Sequence, residues 1–510
     1  MPSLQNLGIG SWPRRRAMLS PDRVAVEFDG ATLTFAHFAD RVEELSAWLA
    51  HQGIGPGDRV AYWGANHPAL LETLFASSRI GAICVLVNAR LAPAEAEYIL
   101  KDSGAAVLFF GRDQAEATGM IAGRIPASVL VDIDGTGTAG TKYGQLPLDL
   151  EPVPEVCCGL EDPAMLMYTS GTTGRPKGAV LTHGNLFFND INVVIETDIR
   201  PDEVCLAAAP LFHIAGLNGL VLPTFLKGGT IVVHRRVEPE AIFAAIRDRA
   251  VTSLFAVPAM LDALAHHHLF GTTDLSSLRT IIVGGAPVPE RILSGWAARG
   301  VAVQQGYGLT ETAPAVLKLA AGDGVRKAGS AGKPQFLVDV RLVAPDGKPA
   351  RPGEIGEIQT VGPNVIREYW QRPEATAEAF ADGWFRTGDA AVQDEEGYYW
   401  IRDRYKDMYV SGGENVYPAE VESALLNVPG VAEAAVVGVP DEQWGEVGKA
   451  FIVLEDNGEP TRGEDIRAAV APALSRFKIP KHIEFIDQMP RTSTGKLLKT
   501  ELRNRQGAFG

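Results

Sequence analysis

The stretch YTSGTTGRPKG (residues 168–178) carries three glycines, four serine or threonine side chains and one lysine, directly after the apolar run AMLM (164–167). Backbone without Cβ atoms can wrap closely around an anion, while hydroxyl groups and a lysine supply donors and positive charge. The common phosphate-loop pattern G-x-x-x-x-G-K-[ST] does not fit, because Pro176 occupies the position of its second glycine and Gly178 follows Lys177. The stretch is therefore either a phosphate loop of a different fold or an ordinary surface loop.

Short apolar runs alternate with helical segments on both sides of this stretch. Examples are AICVLV (82–87), AAVLFF (105–110), TSLFAVP (252–258) and RTIIVGG (279–285). This alternation predicts an α/β protein with layered, largely parallel sheets, in which ligands bind at the carboxyl ends of strands. We expect a large N-terminal domain of layered α/β sheets, a small β-rich subdomain from about residue 329, and a small α+β C-terminal domain.

Composition and charge exclude several classes of protein. With 510 residues, 46% hydrophobic and 21% charged, the chain has the composition of an ordinary globular protein. Its net charge of −15 argues against nucleic-acid binding, which depends on neutralising phosphates. No apolar stretch has the length of a signal peptide or a membrane span. The four cysteines have no metal-site spacing, which favours a reducing, cytoplasmic location.

Four further stretches matter together with the first one. They are QGYGLTE (305–311), WFRTGD (384–389), DRYKDMYVSGGENVYPAEVE (403–422) and PRTSTGK (490–496). In this order and at these intervals, the five stretches resemble the AMP-forming acyl-CoA synthetase superfamily, which also contains peptide-synthetase adenylation domains and beetle luciferases. The resemblance covers nearly the whole chain. It implies a large adenylate-forming domain over residues 1–405 and a small, mobile lid domain over 406–510, with a hinge at Lys406.

The resemblance also implies a reaction in two steps. ATP and a carboxylic acid give an acyl-adenylate and pyrophosphate, and coenzyme A then displaces AMP. A carboxylate is a poor electrophile because its negative charge repels nucleophiles, and adenylation removes that charge. Bringing a carboxylate to the α-phosphate opposes two anions, so the site must supply cations and hydrogen-bond donors there. The expected co-substrates are ATP, coenzyme A and Mg²⁺.

Residue roles follow from matching the motifs of this superfamily. Glu311 matches the Mg²⁺ ligand, Thr310 a phosphate contact, and Lys496 the lysine that bridges the acid and the α-phosphate. The residues expected to bind the β- and γ-phosphates of ATP are Thr169, Ser170, Gly171, Thr172, Thr173, Gly174 and Lys177. The residues expected to bind adenine and ribose are Gly284, Gly285, Ala286, Gln305, Gly306, Tyr307, Asp389 and Arg404. Ser411, Gly412 and Gly413 are expected to line the coenzyme A tunnel after the small domain rotates about Lys406.

The acyl pocket is expected to be small and apolar. Its candidate residues are His213, Gly216, Val257, Gly308, Ala313 and Pro314, and His213 is either a pocket or gating residue or a simply packed histidine. No arginine or lysine among these candidates could pair with a second carboxylate, which argues against dicarboxylic acids.

Two features favour a hydroxycinnamate such as ferulate. The stretch TETAPAV (310–316) resembles the corresponding sequence of 4-coumarate–CoA ligases. The stretch GIGSWPRRRAMLSPDRVAVE (8–27) resembles that of actinobacterial feruloyl-CoA synthetases. Other stretches suit bacterial fatty acyl-CoA synthetases equally well, so medium- or long-chain fatty acids remain the alternative. A stand-alone enzyme that loads a carrier protein is a further alternative, disfavoured because no carrier domain follows Lys496. A catalytically inactive binding protein is disfavoured by the presence of all the motif residues. A homodimer is left open.

Overall fold

The computed structural model describes residues 6–137, 139–147, 149–169, 175–197, 199–286, 288–404, 407–411, 414–441, 443–455, 462–491 and 497–505. The chain forms two compact units. The first comprises Met1–Val340 and Thr360–Phe385, and the second comprises Arg341–Gln359 and Arg386–Gly510. The hinge expected at Lys406 lies outside the described residues, and the division at 405/406 stays a prediction.

The strands are numbered in chain order. They are β1 (Val24–Phe28), β2 (Ala31–Thr34), β3 (Arg59–Trp63), β4 (Ile83–Val87), β5 (Val107–Phe110), β6 (Val129–Asp132), β7 (Thr141–Lys142), β8 (Pro163–Thr169), β9 (Lys177–Thr182), β10 (Val204–Ala207), β11 (Thr230–Val233), β12 (Ser253–Ala256), β13 (Thr280–Val283), β14 (Val303–Gly308), β15 (Ala315–Lys318), β16 (Lys333–Pro334), β17 (Asp339–Val343), β18 (Ile355–Val361), β19 (Phe380–Ala381), β20 (Trp384–Gln393), β21 (Tyr399–Arg404), β22 (Tyr409–Ser411), β23 (Glu414–Val416), β24 (Val431–Asp441), β25 (Gly445–Leu454) and β26 (His482–Phe485).

The helices follow the same order. They are α1 (Trp12–Leu19), α2 (Phe35–His51), α3 (Pro68–Arg79), α4 (Pro93–Ser103), α5 (Ala115–Ile121), α6 (His183–Thr197), α7 (Ile214–Gly216), α8 (Leu222–Lys227), α9 (Pro239–Arg249), α10 (Pro258–His266), α11 (Glu290–Ala298), α12 (Pro373–Ala379), α13 (Pro418–Leu426), α14 (Gly463–Val470) and α15 (Lys499–Asn504). A π-helical turn, Leu217–Val221, joins α7 to α8.

Two sheets dominate the first unit. One has the strand order β16-β15-β14-β13-β12-β10-β11-β1-β2, and the other has the order β7-β6-β5-β3-β4-β8-β9. Neighbouring strands are parallel, except that β2, β15, β16 and β9 pair antiparallel. Every residue of β4, β5 and β13 is buried, which explains their continuous apolar sequences, because parallel sheets are covered on both faces. The predicted layered α/β fold is confirmed.

The core of this unit is largely aromatic. Rings of Phe35 and Phe38 from α2, Phe75 from α3 and Phe225 from α8 have centroids 4.8 to 6.0 Å apart. The same cluster includes buried side chains of both sheets. All twelve residues of α3 are buried, so this helix lies wholly within the core. Tight aromatic packing of this kind makes a rigid support for loops at the sheet edges.

The strand order places the predicted loops. Because β12, β13 and β14 are parallel neighbours, the loops that begin at Val257 and Gly284 and the carboxyl end of β14 lie at one edge of the sheet. In the other sheet, β8 and β9 form an antiparallel pair in which Thr169 lies opposite Lys177. Thr169, Lys177, Val257, Gly284 and Gly306, which the sequence assigned to nucleotide or acid, thus lie at or near the ends of strands.

The remaining elements form two smaller sheets. One has the order β17-β18-β20-β19 with β21 paired to β20, which agrees with the predicted β-rich segment. The other has the order β23-β22-β25-β24 with β26 paired to β25, and α13 and α14 contribute to its core. This is the predicted α+β arrangement. Across the described part of the chain, no helix combines the length and apolarity that a bilayer crossing needs.

Candidate active site

Glu311 occupies a 3-10 turn, Thr310–Thr312, that follows β14 almost directly. The residue is only 8% exposed. Its carboxylate atom Oε1 accepts a hydrogen bond of 2.9 Å from the hydroxyl group of Tyr369 and one of 3.3 Å from Oγ1 of Thr169. The fold therefore brings together Thr169, at the end of a strand in one sheet, and Glu311, beyond the end of a strand in the other.

Lys177 reaches the same place from the far side of the glycine-rich loop. It begins β9 opposite Thr169, and its Nζ atom lies 5.5 Å from the centroid of the Tyr369 ring. An ammonium group over an aromatic face is attracted by the ring without losing its charge. Two of the predicted residues, Lys177 and Glu311, therefore contact Tyr369, and Thr169 bonds to the same oxygen of Glu311 as this tyrosine.

The sequence analysis missed Tyr369. It stands in REYWQRPEATAEAF (367–380), a stretch with no hydroxyl-rich or glycine-rich pattern. Its backbone N–H donates to Oγ1 of Thr376 at 3.0 Å, and it forms an isolated bridge with Ala179 beside β9. A single tyrosine before a helix carries no spacing signal, so only its contact with Glu311 reveals it.

Both ends of the glycine-rich loop are held by helix α4. The hydroxyl group of Tyr168 donates to Asp102 at 2.8 Å, and that of Tyr98 donates to the carbonyl oxygen of Pro176 at 3.3 Å. Tyr98 and Asp102 are four residues apart and so share one face of the helix. Burial, and then the hydrogen bond to Asp102, raise the pKa of Tyr168, which keeps the phenol protonated as a donor. Arg372 pairs with Asp102 as well.

Buried asparagines fix the turn that carries Glu311. Asn364 donates to the carbonyl oxygens of Thr312 at 2.7 Å and Ala315 at 2.8 Å, and Asn189 accepts from the N–H of Ala315 at 3.2 Å. Both asparagines are completely buried. Backbone carbonyls inside a protein need such partners, so these bonds specify the path of the chain after β14. No sequence motif pointed to these asparagines.

The loops predicted to hold adenine meet closely. A Cβ atom on Gly284 would lie 3.3 Å from the carbonyl oxygen of Gly306 and 3.6 Å from the Phe255 ring. Gly285 has φ +87°, a conformation that glycine adopts readily. Gln305 is buried within β14, whereas Gly285 and Ala286 are exposed. Gly284, Gly285, Ala286, Gln305, Gly306 and Tyr307 thus lie at the ends of two adjacent strands.

The residues predicted for the acyl pocket lie near the same edge. A Cβ atom on Gly216 would lie 2.2 Å from the carbonyl oxygen of Pro210, and one on Gly308 would lie 1.7 Å from that of Pro314. Neither position accommodates a side chain without movement of the backbone. Val257 is 41% exposed after β12.

His213 and Phe255 set the polarity near this edge. Burial, and then the charge of Arg90, lower the pKa of His213 to about 4, so its imidazole is neutral at pH 7. Phe255, which the sequence analysis did not select, has its ring 3.4 Å from where a Cβ on Gly219 would lie. Gly219 belongs to the π-helical turn. A neutral imidazole and a buried ring suit an uncharged, apolar part of a ligand better than a second carboxylate.

Among the predicted residues of the second unit, Asp389, Arg404 and Ser411 lie on strands of its described part. Asp389, on β20, is 6% exposed and lies directly opposite Arg404 of β21 in the antiparallel register. Ser411 is buried in β22 opposite Gly445. The side chain of Arg404 is outside the described part. So are several other predicted residues: Ser170, Gly171, Thr172, Thr173, Gly174, Lys406, Gly412, Gly413 and Lys496.

Comparisons with known proteins show the family of the chain. The family model "AMP-binding enzyme" matches residues 13–370, and that of the "AMP-binding enzyme C-terminal domain" matches residues 420–496. The chain is 49% identical over 508 residues to the feruloyl-CoA synthase of Amycolatopsis sp, covering 99% of this chain and 100% of that one.

Solved structures give the same result. The fatty acyl CoA synthetase of Mycobacterium tuberculosis superposes with a TM-score of 0.80 at 35% identity, covering 98% of this chain and 99% of that one. The o-succinylbenzoate CoA synthetase of Bacillus subtilis, solved with its acyl-adenylate intermediate, superposes with a TM-score of 0.87 at 33% identity, covering 98% of each chain. The chain therefore belongs to the family of AMP-binding enzymes, among the AMP-forming acyl-CoA ligases.

Proposed function

We propose that this ligase activates a hydroxycinnamic acid such as ferulate, using ATP and Mg²⁺ to form the acyl-adenylate and coenzyme A to release it as a thioester. The observation that carries the choice of acid is the likeness, over the whole chain, to a feruloyl-CoA synthase. The neutral His213 and the buried Phe255 ring support an aromatic acid without a second charge.

The phosphate end of ATP is assigned to the residues around Tyr369. Glu311 offers a carboxylate oxygen, the ligand type that Mg²⁺ prefers, and Thr310 stands beside it. Lys177 supplies a positive charge where the β- and γ-phosphates would lie, with donors from the loop that begins at Thr169. Glu311 and Lys177 both contact Tyr369, so a carboxylate and an ammonium group lie close together. This pair suits a metal-bound triphosphate, since the carboxylate can bind the metal and the ammonium group can bind the phosphates.

Metal and loop have distinct tasks in this proposal. Mg²⁺ bound with ATP would neutralise phosphate charge. The chain's own residues orient the triphosphate and hold it beside the acid, whose carboxylate attacks the α-phosphate as pyrophosphate departs. Gln305 and Tyr307 would line the adenine site at the end of β14, and Asp389 with Arg404 would hold the ribose.

The second step is assigned to the lid. Lys496 would bridge the acid and the α-phosphate during adenylation. Rotation about Lys406 would then remove Lys496 and bring the segment with Ser411, Gly412 and Gly413 to the thiol tunnel. Glycines there would allow coenzyme A to approach the backbone closely.

A fatty acid is the second candidate. It is favoured by the full-length structural likeness to a mycobacterial fatty acyl CoA synthetase. Loading of a carrier protein instead of coenzyme A is a further candidate, because the adenylation step would be identical.

The test is a panel of acids with purified protein and Mg²⁺–ATP: ferulate, 4-coumarate, benzoate, octanoate and palmitate. AMP, pyrophosphate and acyl-CoA are quantified with and without coenzyme A. Ferulate or 4-coumarate should give AMP and thioester in equal amounts. Preferential use of octanoate or palmitate would replace the hydroxycinnamate with a fatty acid. Pyrophosphate without a coenzyme A product would favour a carrier protein, and ADP formation would contradict adenylation.

A further inference from the structure

One oxygen of the Glu311 carboxylate receives both of the hydrogen bonds described for that side chain. Tyr369 donates to Oε1 at 2.9 Å, and Thr169 donates to the same atom at 3.3 Å. Two donors on one oxygen fix the plane of a carboxylate and direct its other oxygen, Oε2, away from them. The shorter of the two bonds comes from Tyr369, and bonds to a charged acceptor are the strong ones.

The same tyrosine also positions the cation of the site. Nζ of Lys177 lies 5.5 Å from the ring centroid of Tyr369. Within the described ranges, no carboxylate forms an ion pair with Lys177. A carboxylate partner would compete with phosphate for this ammonium group, whereas an aromatic face orients the group and leaves its charge available.

Tyr369 is itself held firmly at the backbone on both sides. Its N–H donates to Oγ1 of Thr376 at 3.0 Å. The next residue, Trp370, donates its N–H to the carbonyl oxygen of Gly178 at 2.7 Å, which ties the segment to β9. Since Lys177 begins that strand, the ring and the ammonium group are carried by directly bonded pieces of backbone.

We propose that Tyr369 is the positioning residue of the metal–triphosphate site: its hydroxyl sets Glu311 so that Oε2 faces the divalent cation, and its ring sets Lys177 toward the phosphates. This inference rests on the proposed function for the identity of the ligand. It goes beyond it by assigning two separable tasks, hydroxyl for metal and ring for phosphate, to one side chain.

The two tasks can be separated by substitution. Tyr369→Phe keeps the ring and removes the donor, whereas Tyr369→Leu removes both. Bound Mn²⁺ is measured by electron paramagnetic resonance with a non-hydrolysable ATP analogue and without any acid. Tyr369→Phe should weaken Mn²⁺ binding about tenfold and leave the affinity for the metal-free analogue unchanged. Tyr369→Leu should weaken both.

A matched control is available in the same unit. Tyr143 also donates its hydroxyl to a buried carboxylate, that of Glu72. Tyr143→Phe therefore removes a similar bond outside the site and should leave Mn²⁺ binding unchanged. Thr169→Val removes the other donor on Oε1 and should weaken Mn²⁺ binding less than Tyr369→Phe, because its bond is longer.

The outcomes distinguish this inference from the proposed function. Wild-type affinity for Mn²⁺ in a folded Tyr369→Phe protein would overturn the metal task, and wild-type affinity for the metal-free analogue in Tyr369→Leu would overturn the phosphate task. A wild-type protein that binds Mn²⁺ but releases no pyrophosphate with any acid would overturn the proposed function alone. A wild-type protein that binds no Mn²⁺ with the analogue would overturn both.

Discussion

The side-chain amide of Asn218 donates a hydrogen bond of 2.7 Å to the carbonyl oxygen of Ala313, and both residues are completely buried. Asn218 lies in the π-helical turn Leu217–Val221, and π turns are frequent at functional sites. Ala313 directly follows the turn that carries Glu311 and has φ +61°, so its backbone is held in the left-handed region. This bond holds Ala313, a residue predicted for the acyl pocket, two positions after the predicted metal ligand Glu311.

Asn218→Ala should impair both stability and acid binding. The substitution leaves the carbonyl oxygen of Ala313 buried without this donor, which costs about 1–3 kcal/mol in the free energy of unfolding. Displacement of that segment should also raise KM for the acid. Urea unfolding and pyrophosphate-release kinetics measure the two effects. Asn192→Ala serves as control, because Asn192 is equally buried but accepts from the N–H of Leu337; its KM for the acid should not change.

Asp102→Ala should weaken ATP binding. Asp102 accepts from Tyr168 at one end of the glycine-rich loop and pairs with Arg372, so its loss frees that end and removes the carboxylate that pairs with the Arg372 guanidinium group. We expect KM for ATP to rise about tenfold, with attack of coenzyme A on supplied acyl-adenylate unaffected. Glu97→Ala on the same helix removes the ion pairs of Glu97 with Lys101 and Arg124 and should leave KM for ATP unchanged. An unchanged KM in Asp102→Ala would contradict the anchoring of the loop.

The stability of the protein should fall as the pH drops from about 6.5 to 4. Burial is the main cause that lowers the pKa of both His67 and His183 to about 4. Between these pH values the unfolded chain binds protons that the folded protein does not. Each histidine therefore destabilises the folded state progressively as the pH falls through this window, and has no such effect above it. Each contributes a slope of up to about 1.4 kcal/mol per pH unit to the free energy of unfolding.

Substitution of His183 tests this pH dependence. Nδ1 of His183 accepts a hydrogen bond of 3.3 Å from the N–H of Ile9, and a glutamine oxygen can replace this acceptor. Urea unfolding of His183→Gln between pH 7 and pH 5 should show a shallower decline than that of the wild type. An identical slope would mean that His183 binds protons to the same extent in the folded and unfolded protein.

Lys496→Ala should affect the two half-reactions unequally. Loss of a preorganised cation where charge develops costs on the order of 10²–10³ in rate. Adenylation, followed as pyrophosphate release, should therefore be crippled, while coenzyme A attack on supplied acyl-adenylate should be largely spared. Equal losses in both half-reactions would remove Lys496 from the role assigned by resemblance.

The strands and the loops at their ends were predictable because their signals are local. The apolar runs 82–87 and 105–110 contain the parallel strands β4 and β5, in which every residue is buried, as expected for sheets covered on both faces. The placement of Thr169 and Lys177 at the two ends of one loop also follows from the sequence, since only seven residues lie between them.

The asparagine contacts could not be predicted. Asn189, Asn218 and Asn364 stand in unrelated segments, and asparagine in a helix or a turn has many ordinary explanations. Their importance arises because carbonyl oxygens after β14 are buried and must be paired, and burial depends on the packing of the whole unit.

The sequence by itself determined the alternation of strands and helices, the glycine-rich turns and the set of charged side chains that such chemistry needs. The tertiary structure decided which of them meet: it set Tyr369 between Glu311 and Lys177, although 58 residues separate Tyr369 from Glu311 along the chain. The physical reason is that secondary structure depends on neighbours in sequence. Contact between distant side chains depends instead on which strands pair and on how the core beneath them packs.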